Sequence, residues 1–212
     1  MRPFVIIFST ISIDGRLAAK NGFSELSCPY DKTRQHILRS EVDAVLVGAN
    51  TVRIDNPSLS LKYARGRPPL RVVVSTKLQL NSESKIFIGG RTVAYAISPN
   101  EEIKNKLLQL GVQVRKFGGK LCEVMRDLYE SFSVEKVMVE GGGGIIWSLV
   151  KESCFDELRL TVAPKIFGSG TSLVQGEGFL GPEAPVLELM DARLCECRTE
   201  VLLKYQNKNP IL

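Results

Sequence analysis

Histidine is almost missing from this sequence: His36 is the single one among 212 residues. A metal site built from several histidines is therefore excluded, and a Ser-His-Asp triad is disfavoured. His36 lies in a predicted helix beside the apolar pair Ile37 and Leu38. This setting favours a packed or capping histidine over a catalytic one.

Cysteine is also sparse, and its five residues include no Cys-x-x-Cys pair. Because zinc sites want more ligands at regular spacing, we predict no metal site. We interpret the cysteines as buried or half-buried free thiols, which are typical of intracellular proteins. They are Cys28, Cys122, Cys154, Cys195 and Cys197.

The N-terminal apolar run, residues 4–8, is too short to span a membrane and is broken by Ser9 and Thr10. No cleavable signal follows it. We therefore predict a cytoplasmic protein with no membrane partner, in which this run is a central strand.

Acidic residues are the minority, giving a net charge of +5 and an isoelectric point of about 9.0. A mild basic excess suits anionic ligands such as nucleotides and sugar phosphates. The basic residues are scattered and no aromatic stacking motif accompanies them, so we predict no nucleic-acid partner. The hydrophobic content of 44% is enough for one large core, and we expect a single domain over residues 1–212.

Glycine, in contrast, is concentrated in one turn between an apolar strand at residues 136–139 and a helix reaching about residue 151. Glycine loses the most backbone entropy on folding, so such a run is typical of sharp bends and of close approach by a ligand. The helix start would present N–H groups and a positive dipole end to an anion, above all a pyrophosphate. The alternative is a tight turn without a ligand. The four residues are Gly141, Gly142, Gly143 and Gly144.

Glu140 precedes this turn at the end of its strand, where open α/β sheets bind ligands. Its alternative role is to cap the helix.

A second strand-turn-helix spans residues 42–55, and Asn50 or Thr51 is predicted to cap its helix. Thr51 and Asp55, four apart, share one helix face and could hold phosphate and ribose, or could be a cap and an exposed carboxylate.

Alternating strands and helices fill the first two-thirds of the chain, which predicts a mainly parallel sheet with right-handed crossovers. Residues 71–75, 85–88 and 92–97 are among the predicted strands. The last third predicts antiparallel strands, including a hairpin over residues 186–194 and 198–205. The predicted fold class is therefore α/β.

Several motifs together resemble those of the riboflavin-pathway reductases, above all the stand-alone archaeal and fungal type. These proteins are similar to the reductase half of the bacterial bifunctional deaminase-reductase and share the dihydrofolate reductase fold. The zinc-binding signature of the deaminase half is absent, so we expect this chain only to reduce. The matching stretches are residues 12–18, 47–59, 139–143, 156–158 and 163–168.

The resemblance implies reduction of a diaminopyrimidinone that carries a ribosylamino 5′-phosphate, with a hydride from NADPH delivered to C1′. NADH is the alternative donor, and Lys77 could pair with the extra phosphate of NADPH. A homodimer is expected, with residues 201–203 as candidates to extend a sheet or meet a partner. No dedicated catalytic residue is identified, and Asp55, Glu140 or water could relay the proton.

The site residues follow from the same resemblance. Expected cofactor contacts are Thr10, Thr51, Asp55, Thr76 and Gly141 to Gly144, with Phe117 near the adenine. Expected substrate contacts are Ser24, Leu59, Lys62 and Glu140.

Four alternatives compete with this function. The first is the bacterial-type substrate, a pyrimidinedione formed after deamination. The second is dihydrofolate reductase, although the helix at residues 30–39 offers only Asp31 as an acidic residue. The third is a nucleotide-sensing module without turnover, and the fourth is a nucleic-acid binder.

Overall fold

The computed structural model describes residues 1–211, which form a nine-stranded sheet flanked by helices and a small two-stranded sheet. The helices are α1 (Pro29–Ser40), α2 (Ala49–Asp55), α3 (Glu101–Gln109), α4 (Leu121–Phe132) and α5 (Gly143–Lys151). The strands are β1 (Phe4–Ser12), β2 (Arg16–Ala19), β3 (Ala44–Gly48), β4 (Leu70–Ser75), β5 (Thr92–Ala96), β6 (Gln113–Lys116), β7 (Lys136–Val139), β8 (Glu157–Ala163), β9 (Gly170–Ser172), β10 (Leu187–Leu194) and β11 (Val201–Asn207).

The large sheet has the strand order β10-β11-β8-β1-β7-β3-β4-β5-β6. All neighbours from β8 to β6 pair in parallel. Only β11 and β10 are antiparallel to their neighbours. The predicted architecture, a mainly parallel sheet with an antiparallel C-terminal hairpin, is confirmed.

The parallel strands are buried on both faces, as their nearly continuous apolar sequences require. Every residue of β3, β4 and β5 is buried. Alternate residues of β1 enter different cores: Val5 and Ile7 pack with α4 and α5, whereas Ile6 and Phe8 pack with α1, α2 and α3. The helices thus cover both faces and leave the strand ends as the accessible edges.

Two local predictions were wrong. Residues 85–88 do not form a strand, because Lys85–Phe87 is a 3-10 helix whose Phe87 N–H donates to the Ser84 carbonyl. A short apolar run alone does not separate these states. Neither Asn50 nor Thr51 caps α2, which begins after Gly48 without a side-chain cap.

The cysteine prediction was wrong for two residues, because Cys122 in α4 and Cys154 after α5 form a disulfide with a Cα–Cα distance of 5.7 Å. Packing of α4 on α5 brings them together. The argument that free thiols indicate an intracellular protein therefore does not apply to these two cysteines. Cys28, Cys195 and Cys197 remain free.

Of the two roles expected for residues 201–203, the structure shows the extension of the sheet, because they lie in β11, which adds to β8. They offer no free edge to a partner, since β10 pairs with the other side of β11. The edge strand is β10, of which every residue after Leu187 is exposed. Among residues 1–211, no helix combines the length and the apolar character needed to cross a membrane.

Candidate active site

A cleft of about 730 Å³ opens at the carboxyl ends of the parallel strands β1, β3, β4 and β7. Ligands of open α/β sheets bind at this edge. The structure brings together here most of the residues selected from the sequence. Those in the lining are Thr10, Ser24, Thr51, Asp55, Leu59, Thr76, Lys77, Glu140, Gly141, Gly142, Gly143 and Gly144.

The four-glycine turn does not bend through the left-handed backbone region, since none of its residues has a positive φ. Glycine is required at Gly143 by packing, because a methyl group there would collide with the carbonyl oxygen of Ser172. At Gly144, in contrast, a methyl group would meet nothing within 4 Å. Gly144 therefore leaves the backbone open to the cleft.

Helix α5 begins at this turn with Gly142 as its N-cap and with no side-chain cap. Glu140 does not fill that role. Uncapped N–H groups at a helix start favour an anionic ligand. A methyl group built at Gly142 would lie 3.8 Å from Thr51 Oγ1. The glycine turn and α2 therefore face each other across the cleft.

Glu140 is held by two side chains of α1. Arg39 donates to both of its carboxylate oxygens at 2.5 Å, and Gln35 Nε2 donates to Oε2 at 2.8 Å. The side chains of Arg39 and Glu140 are only 10% and 9% exposed. This bidentate buried pair fixes Glu140 as a hydrogen-bond acceptor at the cleft wall.

Sequence reasoning missed Gln35 and Arg39, which both line the cleft. A signal existed, because Asp31, Gln35 and Arg39 follow one another at four-residue spacing and so share a face of α1. Glu140, the partner of Gln35 and Arg39, lies about a hundred residues further along the chain, so the spacing on α1 did not identify it.

Asp31 is fully buried and accepts hydrogen bonds from Thr10 Oγ1 and Thr161 Oγ1, both at 2.6 Å. It does not line the cleft. Its carboxylate positions β1 against β8, so it is not free to bind a pterin. The strand β1 continues past its last pairing with β7, Ile7 with Val139, and Thr10 in this extension lines the cleft.

Asp55 ends α2 at the rim of the cleft. Desolvation by the surrounding walls raises the pKa of its carboxyl group above the usual range. The two carboxylates therefore differ in their surroundings. Asp55 is exposed and easier to protonate, whereas Glu140 is held in place by Arg39.

Lys62 and Phe117 do not line the cleft. The backbone N–H of Lys62 donates to His36 Nδ1 at 3.0 Å, while its side chain is exposed. The His36 ring packs edge-on against Tyr63, and burial lowers its pKa. The predicted packed histidine is confirmed. Phe117 packs against the core.

Comparisons with known proteins agree with this geometry. The family model described as the RibD C-terminal domain matches residues 3–203. A 2,5-diamino-6-ribosylamino-4(3H)-pyrimidinone 5′-phosphate reductase of Aquifex aeolicus is 35% identical over 191 residues, covering 84% of this chain and 85% of that protein. The reductase of the same name from Methanothermobacter thermautotrophicus is 33% identical, covering 84% and 86%.

Solved structures show the same fold. A Thermotoga maritima deaminase/reductase superposes with a TM-score of 0.83 at 24% identity, over 97% of this chain and 57% of that one. Dihydrofolate reductase of Enterococcus faecalis superposes with a TM-score of 0.58 at 11% identity, over 97% of each chain. With the family model matching nearly the whole sequence, this chain belongs to the RibD C-terminal domain family and has the dihydrofolate-reductase-like fold.

Proposed function

We propose that this protein reduces the ribosylamino side chain of 2,5-diamino-6-ribosylamino-4(3H)-pyrimidinone 5′-phosphate to the ribitylamino form, with NADPH as reductant. The observation that carries the proposal is the cleft, where an uncapped glycine-rich helix start lies opposite Thr51 and beside the buried Glu140–Arg39 pair. Relatives of similar length that bear this name support the substrate. We treat the chain as one catalytic domain.

The cleft fits a nicotinamide dinucleotide. The open backbone at Gly144 and the start of α5 suit the pyrophosphate, and Thr51 suits it from the opposite side. Thr76 and Lys77, after β4, line the same cleft, and we assign the phosphorylated ribose of NADPH to them. When bound, NADPH supplies a hydride, and this chemistry belongs to the cofactor. The protein orients both reactants and excludes water.

The substrate end of the cleft lies between Glu140, Ser24 and Leu59. Glu140 keeps acceptor capacity for an amino group of the pyrimidine. Leu59 is only 2% exposed and has φ of +50°, so it meets the substrate through its backbone. We assign the 5′-phosphate to the exposed Lys62, in the loop that follows Leu59.

We assign the proton to Asp55. The ring-opened side chain carries an imine between C1′ and the amino nitrogen of the pyrimidine. A hydride adds to C1′ and one proton goes to this nitrogen, which gives the ribitylamino chain. Glu140 accepts three hydrogen bonds from Arg39 and Gln35, whereas Asp55 at the exposed rim has a raised pKa, because the cleft walls partly desolvate its carboxyl group.

The bacterial-type substrate, the deaminated pyrimidinedione, is the second candidate, because the fold neighbour from Thermotoga maritima is named for it. Mixing the protein with NADPH and each pyrimidine in turn tests both. Faster loss of NADPH absorbance with the diaminopyrimidinone is the expected result. Faster turnover of the pyrimidinedione would replace the substrate, and cofactor binding without turnover would favour a nucleotide-sensing module.

We further propose a homodimer formed through the β10 edge. Leu189, Met190 and Leu194 on β10 are 53%, 51% and 60% exposed, and an unpaired apolar edge strand favours association. Sedimentation velocity should give twice the monomer mass of 23.5 kDa. A cytoplasmic location stays a prediction.

A further inference from the structure

Three cysteines and one glutamate meet outside the cleft, at the N-terminus of α1 and the turn of the β10–β11 hairpin. The Sγ atoms of Cys28, Cys195 and Cys197 and a carboxylate oxygen of Glu200 all lie within 4.8 Å of one another. Cys28 comes from the loop before α1, and the other three come from the six-residue turn 195–200. We propose that this cluster is a structural zinc site.

The spacing fits tetrahedral coordination. Zinc binds thiolate sulfur at about 2.3 Å, so two sulfurs on one ion lie about 3.8 Å apart. The Sγ atoms of Cys28 and Cys195 are separated by 3.6 Å. Four ligand atoms from protein leave no open position, which is typical of structural rather than catalytic zinc.

Glu200 gives the second, independent reason. It is 1% exposed, and its Oε2 has no hydrogen-bond partner. Oε1 accepts from the backbone N–H of Cys28 at 2.7 Å, which directs the carboxylate toward the sulfurs. Arg34 Nη2 lies 3.9 Å from Oε2, which is an ion pair but too long for a hydrogen bond. A buried carboxylate oxygen without a hydrogen bond is costly, and a metal ion within the cluster would satisfy it.

The surroundings suit a negatively charged thiolate site. Arg34 Nη2 lies 3.3 Å from Cys195 Sγ and 3.9 Å from Glu200 Oε2. The backbone N–H of Asp31 donates to Cys28 Sγ at 3.4 Å. Such outer contacts orient ligands and offset the excess negative charge of three thiolates and a carboxylate around one Zn²⁺. Soft thiolate ligands favour zinc over magnesium or calcium.

The proposed ion would tie the loop before α1 to the hairpin. That loop carries Ser24 and Ser27, both in the cleft lining, and α1 carries Gln35 and Arg39. Ser27 Oγ also lies 2.8 Å from Thr10 Oγ1. The zinc would therefore fix the substrate wall of the cleft from outside, without touching the reacting atoms.

The test starts with the full-length wild-type protein, purified with reductant and dialysed against metal-free buffer. Zinc content is measured by plasma mass spectrometry, and the metal-stripped protein is titrated with Zn²⁺ and with Co²⁺. The expected result is about one zinc per chain and a cobalt spectrum with thiolate charge-transfer bands and tetrahedral d–d bands. Thermal unfolding should shift upward when Zn²⁺ is restored.

Variants locate the site. Cys195→Ser should no longer bind one zinc per chain. Glu200→Gln is a milder change and should weaken zinc affinity by more than roughly tenfold, because even changes to residues that only contact the ligands typically cost at least that much. The matched control, Cys122→Ser with Cys154→Ser, removes two cysteines elsewhere and should keep its zinc.

Three results would overturn the proposal. They are substoichiometric zinc while all three thiols are reduced, zinc that persists in Cys195→Ser, and a Cys28–Cys195 disulfide in protein purified with reductant. NADPH binding, followed by its fluorescence, should be unchanged in Glu200→Gln, which separates loss of zinc from unfolding and from failure of the proposed reaction.

Discussion

Two strand-turn-helix units line the same cleft and contribute in opposite ways. The unit β3–α2 offers side chains: Thr51 and Asp55 lie on a short helix of which only Ala49 and Val52 are buried. The unit β7–α5 offers backbone at its glycines, and its helix buries Gly143, Ile146, Trp147 and Leu149. The unit β3–α2 thus presents polar side chains to the cleft, whereas β7–α5 presents backbone from a turn that leads into a well-packed helix.

The difference shows how chemistry and stability can be separated within one site. Side chains on a lightly packed helix can change without loss of fold, because they have few neighbours. At Gly143 a substitution cannot be accommodated in this way, because an added methyl group meets the carbonyl oxygen of Ser172. Substitutions in α2 should therefore change kinetics, whereas a substitution at Gly143 should also lower stability.

The largest expected effect is on the rate, from Asp55→Asn. General acid catalysis typically contributes about 10²–10⁴-fold, and kcat should fall within that range. With Asp55 as the proposed proton donor, wild-type kcat should fall as pH rises through the raised pKa of Asp55, and the variant should lose this pH dependence. Stability should change little, since Asp55 is exposed at the rim of the cleft.

The control for Asp55→Asn is Asp191→Asn on β10, an exposed carboxylate outside the cleft, which should leave the pH profile unchanged. If Asp55→Asn raises only the KM for NADPH and keeps the pH profile, Asp55 binds ribose and donates no proton.

Glu140→Gln should lower the free energy of unfolding and also raise the KM for the pyrimidine substrate. It leaves the Arg39 guanidinium buried without its charge partner, and breaking such a pair costs about 3–5 kcal/mol of unfolding free energy. The KM for the pyrimidine should rise in parallel. Urea denaturation and steady-state kinetics measure the two effects.

Glu102→Gln provides the comparison, because Glu102 forms a solvent-exposed pair with Lys106 on α3, and exposed pairs contribute little to stability. Equal destabilisation by both variants would mean that the buried pair has no special role.

Substitutions of the neighbouring residues Gly143 and Gly144 can separate the contribution of the turn to stability from its contribution to NADPH binding. Gly143→Ala should destabilise the protein by about 1–3 kcal/mol, because the methyl group collides with the Ser172 carbonyl. Gly144→Ala enters open space in a helix and should stabilise by about 0.4–1 kcal/mol, yet weaken NADPH binding. Titration of NADPH fluorescence and thermal unfolding test the pair. Unchanged NADPH affinity in Gly144→Ala would remove the pyrophosphate from this turn.

The smallest expected effect is on cofactor choice. Lys77→Glu should raise the KM for NADPH roughly tenfold, since a hydrogen bond to a charged group is worth about 1.5–3 kcal/mol. The KM for NADH should change much less, because NADH lacks the extra phosphate. Lys208→Glu, far along the chain and outside the cleft lining, controls for net charge. An equal rise for both cofactors would contradict this assignment.

Much of this arrangement could be predicted locally. The glycine turn, the strand before it and the helix after it were all predicted, because apolar periodicity and glycine act over a few residues. The reason given for the glycines was less accurate. None of the four has a positive φ, and Gly143 is required because Ser172, about thirty residues later, packs against it. The 3-10 helix at Lys85–Phe87 was missed because three or four apolar residues fit more than one state.

The α/β class, the strand-helix order and the sheet edge that carries the cleft can be read from the amino-acid sequence, because each depends on neighbouring residues. Which distant groups meet depends on how the chain folds. Arg39 and Glu140 are 101 residues apart, and Cys28 and Cys195 are 167 apart. Such contacts arise from the packing of helices and strands on the sheet. Spacing along the chain therefore indicated neither the buried ion pair nor the cysteine cluster.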